Sequence, residues 1–207
     1  MKIAVLGATG GVGTHLVQMA LDEGHDVTVL ARTPAKVERA ADVTIVQGDA
    51  LDAERVRDTV RGADVVISAL GSTRGPEQDT SLRRMAGVLA TALADDEAPQ
   101  RVLWCASEGV NGEIPGVFGK FAMKMLAKPL ADHAAAIETL QATGVGLTVA
   151  RPRALNTKPL NLDYTEVFAG PAQGGYSIPR ASVAHFLLKA AQDDAYVNTS
   201  VALAVAK

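Results

Sequence analysis

The opening stretch, Met1 to Arg32, leaves few folds open to this chain. Lys2-Ile-Ala-Val-Leu6 is an apolar run of strand length that stops at Gly7-Ala-Thr-Gly-Gly-Val-Gly13. Val12, Leu16, Met19 and Ala20 then recur at one-turn spacing, the apolar face of a helix, and Gly24 stands where that helix would stop. Val27-Thr-Val-Leu-Ala31 reads as a second buried strand. Strand, glycine turn, helix, strand is one right-handed βαβ unit, and it predicts an α/β protein built on a doubly wound, mostly parallel sheet.

Glycine has a physical reason to crowd that turn. A diphosphate must approach the backbone more closely than a Cβ allows, and the first turn of the helix offers unpaired N–H groups and the positive end of its dipole. Gly7 suits the tight turn, Gly10 and Gly11 the approach of phosphates, and Gly13 the contact of helix with strand; Thr9 can donate a hydroxyl or cap, and Val12 enters the helix. The spacing is G-x-x-G-x-x-G rather than the common G-x-G-x-x-G, and the flanking strand and helix supply the context a dinucleotide site needs. An acid about twenty residues beyond the glycines would bind the ribose 2′-hydroxyl of NAD. Here the second strand ends Leu30-Ala31-Arg32-Thr33, and Asp26 lies at its wrong end. Arg32, with Thr33 and Lys36 as helpers, reads as a fork for the 2′-phosphate of NADP(H); the plainer alternative is a surface arginine at a strand end.

Further along, a short helical piece at 34–39, a strand at 43–47 and a helix at 52–60 are predicted. Asp49 and Ala50 fall near the adenine pocket, where Asp49 either accepts the exocyclic amine or caps the helix after it. Strand 64–69 runs into Leu70-Gly71, so Ala69, Leu70 and Gly71 should pass the nicotinamide ribose at the topological switch point. A helix to about residue 94 follows the polar loop 73–79, and 101–106 is a strand with Ser107 at its end. Cys105, mid-strand, reads as a small core residue. Residues 115–128 are amphipathic, with Lys120, Lys124 and Lys128 on one side; a solvated face near the cleft is preferred to a membrane-docking one. Helix 130–142, strand 146–150, helix 182–192 and strand 199–205 complete the pattern. Residues 156–175, rich in Pro, Gly and Asn, suggest a substrate-covering segment spanning about 153–180 within one domain, 1–207.

The 207 residues carry 48% hydrophobic and only 4% aromatic side chains with a net charge of −3, which argues against a nucleic-acid or anionic-membrane surface. One cysteine allows no internal disulfide, no Cys/His spacing suggests a metal, and the expected home is the cytoplasm, with no signal peptide.

Gly7-Ala-Thr-Gly10, Val27-Thr-Val-Leu-Ala-Arg32, Gly48-Asp49, Leu70-Gly71, Asp132-His133 and Val183-Ala-His-Phe186 together resemble the atypical short-chain dehydrogenase/reductases, Rossmann-type proteins, and among them the flavin reductase / biliverdin-IXβ reductase group. The resemblance implies a monomeric NADPH-dependent reductase that passes hydride to a flat small-molecule acceptor such as a flavin, bilin or quinone. It places Ser107, the candidate catalytic residue, and Pro152 beside the nicotinamide. Ser107 could orient cofactor or acceptor, or simply satisfy backbone at a strand end. Glu108, Phe121, Arg153 and Leu155 are the candidate acceptor-binding residues, with Arg153 expected to meet an anionic group. The group's pattern has a histidine where this chain has Ala154, a departure that bears on the acceptor. His133 is expected to cap or lie exposed rather than donate a proton, and the other three histidines are read as structural.

Alcohol-forming relatives protonate an alkoxide with a Tyr-x-x-x-Lys pair. Tyr164, Tyr176 and Tyr196 all lack a lysine four residues on, and Phe121 occupies a place where a tyrosine might stand. A delocalised acceptor needs no such acid. The alternative class is a non-catalytic NADP(H)-sensing regulator, which the missing tyrosine also suits; an epimerase or dehydratase would need both that tyrosine and a longer substrate segment.

Overall fold

The computed structural model describes residues 1–71, 81–112 and 124–206. Eight strands form one sheet: β1 (Lys2–Leu6), β2 (Asp26–Ala31), β3 (Thr44–Gln47), β4 (Val65–Ser68), β5 (Arg101–Cys105), β6 (Gly146–Pro152), β8 (Tyr164–Val167) and β10 (Ser200–Val205). Their order is β3-β2-β1-β4-β5-β6-β10-β8, and every pairing is parallel except β10 with β8. The order reverses between β1 and β4, where Ile3 pairs Val27 on one side and Val65 on the other. That is the switch point of a doubly wound sheet.

Alternation along the strands sorts the core into two layers. Ile3, Val5, Ile67 and Leu103 pack beneath α1 (Gly13–Asp22) and the last helix, where Phe186 is fully buried. Ala4, Leu6, Val66, Val102 and Trp104 face the opposite layer, formed by α2 (Ala53–Val60), α3 (Ser81–Ala92) and α4 (Ala127–Gln141). The last helix, α5, spans Arg180–Ala191. No described helix is long and apolar enough to cross a membrane.

Helix starts show how polar side chains fix these layers. Asp52 caps α2, accepting hydrogen bonds from the Glu54 and Arg55 amides at 3.1 and 3.2 Å. The first turn of α3 is capped from another helix: buried Asp132, on α4, accepts from the Leu82 and Arg83 amides at 2.9 and 3.3 Å. α4 begins at Ala127, earlier than the predicted residue 130, because Pro129 falls in its first turn, where a missing N–H costs nothing. The predicted amphipathic stretch 115–128 lies mostly outside the described residues, as does Phe121.

The segment read as an irregular cover has more structure than its composition suggests. Tyr164–Val167 extends the main sheet as β8, and Ala154–Asn156 (β7) pairs in parallel with Ser177–Pro179 (β9) as a separate ribbon. A buried ion pair anchors that ribbon, with Arg153 Nε 3.0 Å from Glu108 Oε2. Arg153 Nη1 also donates to the Gly174 and Gly175 carbonyls and Nη2 to that of Ala172, while Glu108 accepts from the Ala172 amide. Gly174 adopts φ +126°, and a Cβ there would lie 2.1 Å from the Val205 carbonyl oxygen.

Two outcomes follow from these contacts. Asp132→Ala strips the cap from α3 and should cost about 1–2 kcal/mol, with faster amide exchange confined to Leu82 and Arg83 and their neighbours. Glu108→Ala leaves the Arg153 guanidinium buried without its counter-charge and should cost about 3 kcal/mol in urea denaturation. A wild-type midpoint in either variant would contradict the corresponding role.

Candidate functional site

Because the strands run parallel, β1, β4, β5 and β6 deliver their following residues to one rim of the sheet, and two adjoining hollows open there. The smaller is lined by Gly7, Thr9, Arg32, Asp49 and Ala50, together with Leu30, Ala31, Gly48 and Met85. The larger, about 370 Å³, has Gly10, Gly11 and Val12 on one wall and Ala69 to Gly71 and Cys105 to Ser107 along its floor. Pro152, Arg153, Ala154, Leu155, His133 and Arg180 close its far side. Leu70 borders both hollows, so they form one groove. A roomier cavity of about 540 Å³ lies elsewhere, against α4 and the starts of β6 and β10, but among the described residues no cation lines it and Glu138 is the one charged side chain.

The glycine turn is built from backbone in contact with backbone. Gly7 adopts φ +86°, and a Cβ on it would lie 2.7 Å from the Ala69 carbonyl. A Cβ on Gly13 would lie 2.1 Å from the Gly7 carbonyl oxygen. At Gly11 the geometry departs from the sequence reading: the space a Cβ would fill is taken by the Arg180 side chain, whose Cδ lies 2.5 Å from that point. No described side chain caps α1; the Thr14 amide donates to the Gly10 carbonyl at 2.9 Å, and the residues before the helix, Gly10 to Val12, border the groove. Thr14 Oγ1 is turned back onto the Ala8 carbonyl at 3.3 Å.

At the smaller hollow, Arg32 follows β2 directly and is well exposed, its Nη1 3.9 Å from Asp49 Oδ2. Asp49 Oδ1 accepts from the Leu51 amide at 2.9 Å, which shapes the turn into α2 while Asp52 does the helix capping. Thr33 borders neither hollow; it opens a 3-10 turn, Pro34–Lys36, without a side-chain hydrogen bond.

In the larger hollow, the Ser107 hydroxyl donates to the Glu108 carbonyl at 3.2 Å, so towards the groove it presents lone pairs rather than a proton. Burial pushes the Cys105 thiol up to about 12, which keeps it un-ionised and poorly nucleophilic. His133 stands mid-helix on α4 rather than at a cap or in the open. Its Nδ1 is sealed from solvent with no hydrogen-bond partner among the described residues, and burial holds the imidazole below its ordinary range, with Asp132 partly opposing. Leu155 is exposed on the rim.

The contacts bear on two of the expected acceptor-binding residues. Glu108 borders neither hollow and is only 8% exposed. Its partner Arg153 borders the larger hollow, but its nitrogens are engaged by Glu108 and by the carbonyls of 172, 174 and 175, so the pair braces the ribbon at the hollow's edge. Sequence reasoning passed over Arg180 and underrated His133. Pro179 at the start of a helix was the available signal for Arg180, yet nothing local aims its side chain at Gly11.

The glycine turn, the uncapped helix end and the cation beyond β2 fit an adenine dinucleotide: Gly10 to Val12 would meet its diphosphate, and Arg32, Asp49 and Ala50 its adenosine half. Similarity to known proteins points the same way. The chain is 38% identical over 87 residues to an isoflavone reductase homologue of Zea mays, covering 37% of this chain and 28% of that protein. It is 30% identical over 109 residues to the protein YwnB of Bacillus subtilis, covering 53% of this chain and 48% of YwnB. Thus it spans less than half the length of both these relatives.

Solved structures share the fold across nearly the whole chain. A short-chain dehydrogenase/reductase of Veillonella parvula in complex with NADP superimposes with TM-score 0.84 at 19% identity, covering 98% of this chain and 93% of that one. ChuY, an anaerobillin reductase of Escherichia coli O157:H7, superimposes with TM-score 0.83 at 21% identity, covering 98% and 96%. The NAD(P)H-binding family matches residues 7–194, and the chain belongs to that family.

Proposed function

We propose that the protein is an NADPH-dependent reductase that delivers hydride to a flat, conjugated acceptor of the flavin, bilin or quinone type. The observation that carries this reading is the make-up of the larger hollow: alanine, valine, leucine, proline and glycine surround Cys105, Ser107 and His133, with Arg153 and Arg180 at the far side, and among the described residues no tyrosine or lysine lines it. The tyrosines are occupied or remote. Tyr164 Oη lies 2.8 Å from His185 Nδ1, Tyr196 Oη donates to Glu166 at 2.6 Å, and Tyr176 is 90% exposed.

The bound coenzyme would supply two electrons and a proton together, as hydride from C4 of its nicotinamide. What the chain supplies is position and dryness. Ala69, Leu70 and Ala106 offer an apolar floor for stacked rings, and Ser107, its hydrogen committed to Glu108, offers an acceptor that orients an amide or N–H group. The reduced acceptor takes its balancing proton from water at the open mouth, since a conjugated anion does not need an acid beside it. The phosphate-side preference rests on Arg32 and on the want of an acid at the end of β2.

Three measurements bear on this reading. Titration calorimetry should find NADPH bound more tightly than NADH, and Arg32→Ala should weaken NADPH about tenfold while leaving NADH unchanged; equal affinities in the wild type would remove the NADP assignment. NADPH oxidation should exceed the enzyme-free rate with a flavin, a quinone or dichlorophenolindophenol. Tight NADPH binding with no turnover on any of them would favour the sensing role instead.

The third is a pH profile of stability. Burial lowers the folded-state value of His133 below the 6.5 of an unperturbed imidazole, so on acidification the unfolded chain takes up this proton first. The contribution is intact above about 6.5 and is lost as the pH falls through the folded value. Urea midpoints for the wild type should therefore drop between about pH 7.5 and pH 5 more than those of His133→Asn; parallel profiles would show that the ring is not held neutral.

A further inference from the structure

Arg180 opens α5 where the β7–β9 ribbon ends, and its side chain reaches back across the glycine turn. The point where a Gly11 Cβ would stand is 2.5 Å from Arg180 Cδ and 2.7 Å from Nε, so the arm occupies the room that this glycine leaves. The side chain is half-buried, borders the groove beside Gly10, Gly11 and Val12, and has no hydrogen bond or ion pair with any described residue. In this it differs from Arg32, which has Asp49, and from Arg153, which has Glu108. A free guanidinium beside the positive end of α1 puts two like electrostatic demands in one place. An anion seated on the turn would answer both.

We propose that Arg180 is the clamp on the coenzyme's diphosphate, closing from the C-terminal segment over the cradle made by the N-terminal glycines. The assignment rests on the reading that the groove holds a nicotinamide dinucleotide, and it assigns the two groove arginines different targets. Arg32 faces the adenosine end, where a 2′-phosphate distinguishes one coenzyme from the other. Arg180 faces the part that NADPH and NADH share. Its reach depends on the ribbon that places residue 180, and that ribbon is braced by Arg153 and Glu108. Coenzyme affinity is thereby tied to the order of the segment beside the acceptor.

The test is calorimetric titration of the full-length wild type, Arg180→Ala, Arg180→Gln and Arg32→Ala with NADPH, NADH, ADP-ribose and adenosine 2′-monophosphate. Arg180→Ala should weaken NADPH, NADH and ADP-ribose alike, by about ten- to hundredfold. It should leave the 2′-monophosphate, which has no diphosphate, unchanged, and should flatten the salt dependence of NADPH binding. Arg32→Ala should show the complementary pattern, losing NADPH and the 2′-monophosphate only. The unliganded melting temperature of Arg180→Ala should match the wild type, since no hydrogen bond is removed; were that variant unfolded, Arg180→Gln would be read by the same criteria.

Gly11→Ala gives a second reading of the geometry. Its methyl displaces the arm, so it should weaken NADH in the wild type and add little in the Arg180→Ala background. Unchanged dinucleotide affinity in Arg180→Ala, a loss confined to the acceptor's Michaelis constant, or equal Gly11→Ala losses in both backgrounds would each overturn the clamp. A wild type that binds none of the ligands would overturn the dinucleotide reading itself and the clamp with it.

Discussion

The backbone-to-backbone contact of Gly13 with Gly7, and of Gly7 with Ala69, is the constraint from which the groove follows. Side chains at 7 or 13 would place a Cβ 2.7 or 2.1 Å from carbonyl atoms, distances that no rotamer can relieve. The end of β1, the start of α1 and the end of β4 therefore meet at one point, and that point is where the strand order reverses. A crevice at the rim and a helix end aimed into it are consequences of this meeting. Once it exists, parallel pairing carries Arg32, Asp49, Ser107 and Pro152 to the same rim, each at the end of its own strand.

What could be read from the chain follows the same division between local and distant causes. The glycine turn, the parallel strands and the alternating core are written in short periodicities: Ile3 and Val5 against Ala4 and Leu6 already separate the two helical layers. Tyr164–Val167 was illegible as a strand because all four residues are half-buried, so an edge position erased the alternation that identifies an interior strand. Helix α4 began earlier than expected because a proline, normally a stop, falls in its first turn. His133 looked like a cap only because its helix was begun too late. Asp132 could not be recognised as a cap, since the helix it caps lies fifty residues earlier in the chain.

Arginine shows most plainly why residue type alone does not identify a site. Arg32, Arg151, Arg153 and Arg180 all stand near strand ends or helix starts, and each could have been taken for an anion binder. Their partners distinguish them. Arg151 is 2% exposed and donates through Nε to Ser200 Oγ at 2.9 Å, with further contacts to the Ser200 and Gly170 carbonyls, so it knits β6 to β10 and the loop beyond. Arg153 is engaged by Glu108 and three carbonyls. A guanidinium offers a ligand only those donors that the fold has not used, and the cost of desolvating it has to be met by whichever partner it has. By that measure Arg32 and Arg180 remain available, and they border the two adjoining hollows of one groove.

The acceptor proposed for the groove rests on a similar accounting of protons. Making an alcohol requires an acid within hydrogen-bond reach of a developing alkoxide, a contribution of about 10²–10⁴-fold. Around the larger hollow the candidates among the described residues are Ser107, whose hydrogen is directed at the Glu108 carbonyl, Cys105, whose thiol burial pushes up to about 12, and His133, whose imidazole burial holds below its ordinary range. None is a ready donor to an isolated oxyanion, and the tyrosines are committed to His185 and Glu166 or stand in solvent. An acceptor that spreads its new charge over a ring system makes no such demand, and it gains from an apolar floor that would only penalise a localised anion. The largely apolar described lining and the want of an acid among the described residues are what the proposed reading rests on: a reduction whose product does not need to be protonated where it is made.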